Sequence, residues 1–598
     1  MFLKNKPHTT FNLPFEKRAS GAIRRFSPME QIIFTILFAI LAVSAIGLLL
    51  TVNDRFSVEV PTQGGAYTEG VIGAPHLINP IFAISESDKD LSTLVYSGLL
   101  RTTDNGEFEN DLAKSYTVSD DGLVYDFILK DDLTWHDGTP LDANDVVFTI
   151  NLAKSDNRNN ILKNPISAEW DGISVEKVSD QEVRFTLVQP YAKFLVNATL
   201  GILPKHIWGN IDPSQFAFTS FNTEPIGSGP YEIKTVKRGK AGNEDVIEYY
   251  DLVPFKKFAL GEPYIKNIRV RFYPSTKDLL EAFQRGEIDG MTTTSTTFAS
   301  EISANAGDHH TVMTSPLPIT FGVFFNQNHS SVLAEKAVRK ALNLSLDRED
   351  IVTKVLGGYA TAIDSPIPPG ATGYRAMASS TSSLEERQEE AQTILDDAGW
   401  KMNDETGVRE KKTKGTVTPL SFSISTSNIP QLKDTAHLIK VMWEKLGASV
   451  DIKIFEIGDL KENVIRPREY DALLFGNFIE RSSDLFSFWH SSKRLDPGQN
   501  IAMYANIMVD KLLESIRSIV NVTDRVPKYE SFEDEIASDI PAVFIYSPDF
   551  IYLIPQEIHG VKLEQITTPS ERFMNIYQWY SETNRVWKIF APVNSITH

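Results

Sequence analysis

The chain has no cysteine in 598 residues. Disulfides, cysteine nucleophiles, thiolate metal sites and a lipid-modified cysteine tether are therefore excluded. Basic residues are in deficit, 59 against 78 acidic ones, for a formal net charge of −19. That balance argues against nucleic acid as a partner and serves solubility. Catalytic signatures are missing as well: there is no His-Glu-x-x-His and no Gly-x-Ser-x-Gly. His309-His310 is an adjacent pair, which cannot share one helix face as metal ligands would. Carboxylate pairs such as Asp120-Asp121 and Asp131-Asp132 are commonplace in so acidic a chain and carry no specificity. The sequence proposes no catalytic residue, no metal site and no cofactor, so a non-enzyme is expected. Internal repeats and low-complexity tracts are absent too.

Long hydrophobic runs are also scarce, and the one present is informative. Ile32 to Val52 carries no charge and is long enough to cross a bilayer as a helix. Lys4, Lys6, Lys17, Arg18, Arg24 and Arg25 precede it, against only Glu16 and Glu30. Positive residues stay inside, so residues 1–31 read as a basic cytoplasmic tail, 32–52 as a membrane anchor, and the rest as extracytoplasmic. A cleaved signal peptide with a site near Val43-Ser44-Ala45 is the competing reading. The apolar run continues past Ala45 through Leu50, which favours an uncleaved anchor.

At 598 residues and 67.0 kDa the chain needs more than one core. Its most informative stretch is Ser119 to Leu152. Asp120-Asp121-Gly122 makes a turn, Leu123, Tyr125, Phe127 and Leu129 alternate as in a half-buried strand, and His136-Asp137-Gly138-Thr139 turns again. Asp142 then caps a helix, with Asp145 at N3, that buries Val146, Val147 and Ile150. Further on, Gly227 and Gly229 in Pro225–Tyr231 allow backbone conformations that a side chain would forbid. That segment has neither the third glycine nor the lysine of a phosphate loop, so it reads as a hinge or turn.

Trp135, Asp137, Gly138, Pro140, Ala143, Asp145, Val146 and Phe148 fill a signature that resembles that of extracytoplasmic solute-binding proteins of the peptide/nickel class, family 5 of ABC importers. Leu77-Ile78-Asn79-Pro80, Leu91–Leu100, Asp111–Tyr116, Pro190-Tyr191, Pro225–Tyr231, Lys336–Val352, Ile367–Gly370 and Ala398–Trp400 extend the resemblance. Together they cover roughly residues 66 to 580. Asn79 stands where the family usually has aspartate, and Tyr116 where it usually has tryptophan.

The resemblance implies an α/β, two-lobed periplasmic-binding-protein-like fold of type II with an extra accessory domain, preceded here by one transmembrane helix. By analogy, 58–94, 223–318 and 553–590 form lobe I, 95–222 the accessory domain and 319–552 lobe II. It also implies a peptide ligand (oligo- or dipeptide) taken up between the lobes and passed to the permease subunits of an ABC transporter, by a monomer. A nickel chelate, opine or oligosaccharide is the alternative solute, and an anchored hydrolase or sensory ectodomain the alternative class. In peptide-binding members an aspartate that follows a lobe II strand pairs with the peptide amino group. The matching segment is Gly476-Asn477-Phe478-Ile479-Glu480, with Glu480 in that role, Arg481 beside it, and Asp484 in an alternative register. Asn326, Asn79 and Ile78 are further ligand candidates, and Trp170 and Trp489 candidate pocket walls.

Overall fold

The computed structural model describes residues 27–103, 106–155, 164–191, 194–241, 244–304, 309–378, 382–479, 484–519 and 521–591. The chain divides into two compact units, Met1–Thr62 with Glu582–His598, and Gln63–Ser581.

In the smaller unit Ser27 caps the helix Pro28–Phe56 in a reciprocal box with Glu30, and Pro28 pre-sets the first turn. None of its residues is buried, and its mean hydropathy peaks at 2.8, which suits a hydrocarbon surround. The strand Ser57–Thr62 follows at once and pairs antiparallel with Glu582–Trp587, Ser57 facing Trp587 and Thr62 facing Glu582.

The larger unit is built on one long mixed sheet, and the strand Ala542–Pro555 holds it together. Its first half, Ala542 to Tyr546, pairs with Ile319–Phe325. Its second half, Asp549 to Pro555, pairs with His310–Pro316 and, through Ile551–Leu553, with Gly290–Thr293. Each half serves a different lobe. The crossing falls at Ser547–Asp549. There the Leu317 N–H donates to Pro548 O at 2.9 Å and Ser547 Oγ to Leu317 O at 2.7 Å.

Lobe II places Ser449–Phe455, Ser421–Ser427 and Ala472–Phe478 parallel to one another. Alternate residues pack on opposite faces of its sheet. Val323, Phe325, Leu474, Val543 and Ile545 join one buried cluster, and Phe324, Leu473 and Phe544 the other. Cover on both faces explains why the run YDALLF is apolar without alternation. In lobe I, Gly64–Ile72, Ile265–Tyr273 and Gly290–Thr293 are parallel. An antiparallel sheet of Ala113–Val118, Val124–Leu129, Glu182–Leu187 and Ile173–Ser179 forms the accessory layer. Its Tyr125, Phe127, Val183 and Phe185 share one continuous core with lobe I, under the helix Ala143–Lys154.

Strand direction then positions the site. Ile319 faces Phe478, so the carboxyl ends of the lobe II parallel strands lie at the edge that meets the crossing. Thr293 faces Ile551, which brings the carboxyl ends of the lobe I strands to that crossing as well. Ligands of open α/β sheets bind outside such carboxyl ends.

Candidate functional site

The stretch around His136 folds as its local signals dictate. Gly122 and Gly138 take φ of 69° and 86°, and Asp142 and Asp145 form the cap box. His136 then clasps Pro225–Tyr231. Its N–H donates to Gly227 O (2.9 Å), Nδ1 accepts from the Gly227 N–H (3.3 Å), and Nε2 donates to Gly229 O (3.1 Å). This fixes a neutral tautomer, and burial lowers the His136 pKa to about 4. Gly227 and Gly229 are needed for a reason other than the expected one. Neither is among the positive-φ residues. A Cβ on Gly227 would lie 2.0 Å from Val95 O, and one on Gly229 2.5 Å from Val95 C, so the loop must run against the end of the helix Glu86–Val95.

A prediction follows for pH. An imidazole whose folded pKa lies below its unfolded value contributes stability above the unfolded pKa that is lost as pH falls toward the folded one. Between pH 7 and pH 5, His136 should remove about 2 kcal/mol. In His136→Gln that increment disappears, so the difference in melting temperature between wild type and variant should shrink on acidification.

Beneath the lobe I edge, Arg572 is clamped between two carboxylates. Nη1 and Nη2 donate to Asp90 at 2.8 and 2.7 Å, and Nε and Nη2 to Glu69 at 3.0 and 2.9 Å. Tyr67 and Tyr552 hydroxyls donate to the other Glu69 oxygen at 2.5 and 2.9 Å. All three charged residues are at most 2% exposed. Burial raises both carboxyl pKa values even with the guanidinium in contact.

At the lobe II edge a cavity of about 660 Å³ opens where Ala472–Phe478 ends. Gly476, Phe478 and Asp484 line it, together with Ile457, Lys461 and Phe488. A Cβ on Gly476 would meet the Phe321 ring at 2.7 Å. Ile479, the next residue, donates its N–H to Pro318 O at 2.7 Å, which ties this strand end to the interlobe crossing. Glu480 and Arg481 lie outside the described residues. Asp484 is gripped by Arg517, whose Nε and Nη2 reach its two oxygens at 3.0 and 2.6 Å.

Other candidates are placed differently. Ile78 and Asn79 follow the carboxyl end of Gly64–Ile72, but both side chains are fully buried. Asn79 Oδ1 accepts from the Ile81 N–H, and the exposed side chains of that loop are Ile72 and His76. Asn326 is buried in its own loop. It sits at the end of Ile319–Phe325 away from the crossing, where Nδ2 donates to Arg468 O and Oδ1 accepts from the Asn328 N–H. Trp170 and Trp489 both lie in hydrophobic cores. Each is 1% exposed, Trp170 in the accessory core near Phe185, Trp489 among Phe324, Tyr504, Phe532 and Phe544. Sequence reasoning missed Asp549 at the crossing, a half-buried carboxyl whose pKa burial raises to about 6. It also missed Arg517, whose role depends on contacts distant in sequence. Among the described residues, no group of three His, Asp or Glu side chains could hold a metal ion.

The model of bacterial extracellular solute-binding proteins, family 5, matches residues 107–496. The chain belongs to this family. The oligopeptide-binding protein AppA of Bacillus subtilis is 29% identical over 88% of this chain and 94% of its own. The structure of B. subtilis AppA in complex with a nonapeptide gives a TM-score of 0.62 at 28% identity, covering 87% of this chain and 99% of AppA. NikZ of Campylobacter jejuni in complex with Ni(L-His) gives 0.63 at 26%, covering 86% and 99%. As a family 5 protein the chain is an extracytoplasmic solute-binding protein with a two-lobed mixed α/β fold, and AppA is named as a binding protein.

Proposed function

We propose that this protein is a membrane-anchored peptide receptor of an ABC importer. The helix Pro28–Phe56 holds it at the membrane, and peptides captured between the lobes are handed unaltered to the permease subunits. The observation that carries this reading is the convergence of both sets of strand carboxyl ends on one crossing, with the recess at Gly476 and Phe478 beside it. We take Glu480 as the carboxylate for the peptide ammonium. It follows Ile479, which is bonded to the crossing, while Asp484 is already held by Arg517. In this reading lobe I comprises 58–94, 223–318 and 553–590, with 95–222 as the accessory domain and 319–552 as lobe II.

A nickel chelate is the second reading, favoured by the equally close match to NikZ with Ni(L-His). Native mass spectrometry of the protein purified without added ligand separates the two. Peptide masses released on denaturation are expected. A nickel isotope pattern carried by an amino-acid chelate would replace the peptide reading, and cleavage of an added peptide would overturn the receptor reading altogether.

A further inference from the structure

We propose that Trp587–Phe590 is a second membrane contact, seated at the headgroup boundary beside the outer end of the anchor helix. This rests on the anchor reading above and adds a lipid-binding surface to it.

The apolar run Ile32–Val52 spans about 31 Å as a helix, close to the thickness of the hydrocarbon. The first polar residues after it, Asn53-Asp54-Arg55, therefore mark the outer interface. The far end of the chain is pinned to that level. Trp587 Nε1 donates to Asn53 Oδ1 at 2.9 Å, and Arg585 Nη1 to Asp54 at 2.8 Å. In the strand pair, Trp587 faces Ser57, the first residue beyond the helix.

What this places at the interface suits lipid. Trp587 is 47%, Ile589 77% and Phe590 74% exposed, within four consecutive residues, and Phe56 at the helix end is 53% exposed. In the larger unit, strongly exposed apolar side chains stand singly, as at Val188 and Leu495, or as the pair Ile507-Met508, and scattered exposure of that kind needs no explanation. A contiguous apolar patch does. Tryptophan favours the headgroup level, aliphatic and phenyl groups enter the acyl boundary, and Lys588 can extend its ammonium to anionic headgroups.

The absence of cysteine makes the test direct. Leu41→Cys, Ile589→Cys and Val188→Cys are each labelled with an environment-sensitive fluorophore. The full chain is reconstituted in nanodiscs of phosphatidylcholine and phosphatidylglycerol carrying nitroxides near the headgroup or near the chain end. The Ile589 label should lose about half its emission or more to the shallow quencher and less to the deep one, with the reverse order at Leu41 and no loss at Val188. If the Leu41 label is unquenched, the anchor reading falls and this inference with it. If Leu41 is quenched while the Ile589 label matches Val188, the anchor stands and the second contact is refuted. Quenching at Ile589 that requires added permease would likewise refute a lipid contact.

Discussion

Replacing Arg572 with leucine should lower the unfolding free energy by about 3–5 kcal/mol, because the substitution strands two buried carboxylates that share one cation. Glu69 and Asp90 are 0% and 2% exposed, so water cannot substitute for the guanidinium. Two tyrosine hydroxyls stabilise one side of Glu69 only, and among the described residues Arg572 alone is bonded to both carboxylates. The sign of the pH dependence follows. Without the guanidinium, which now holds both carboxyl pKa values down against burial, they rise further in the folded variant, so its deficit should be larger at pH 8 than at pH 5.5. Urea unfolding at both values measures it. Adding Glu69→Gln and Asp90→Asn to the leucine variant should recover much of the loss, since the neutral side chains keep the shape without the charge. A deficit below about 1 kcal/mol would mean that the cluster is hydrated.

Glu480→Ala should weaken peptide affinity about 30- to 1,000-fold, or about 2–4 kcal/mol, by leaving a desolvated ammonium without its partner. The melting temperature should barely move. An N-acetylated peptide, which has no ammonium, should bind wild type and variant alike, and calorimetric titration of both peptides against both proteins isolates the pair. Asp484→Ala is the counterpart, because it removes a carboxylate already bonded to Arg517. It should alter stability more than affinity. If affinity instead collapses in Asp484→Ala and survives in Glu480→Ala, the two roles are exchanged.

Local chemistry is legible in the sequence alone. The cap box at Asp142 and Asp145 and the turns at Gly122 and Gly138 depend on residues within a few positions of one another, and the family signature lies on them. The fold class followed from that signature. What sequence could not supply was decided by distance along the chain. Arg572 lies 503 residues from Glu69 and 482 from Asp90. Trp170 and Trp489 look like platforms in the sequence, but the elements packed over them make them core. Asn326 ends a strand, as expected, yet at the wrong end of it, because which strand end faces the crossing is set by the antiparallel pairing of Ile319–Phe325 with Ala472–Phe478. Gly227 and Gly229 are held to glycine by the approach of Val95, not by a backbone conformation closed to side chains.

The pairing of Ser57–Thr62 with Glu582–Trp587 stitches the first and last strands of the extracytoplasmic chain side by side. In the anchored receptor proposed above, a protease that cuts between Thr62 and Gln63 would sever the covalent link to the helix, and the paired strands would still hold the two pieces together. Shedding would then require the ribbon to melt as well, so the proposed retention at the membrane would survive a single nick.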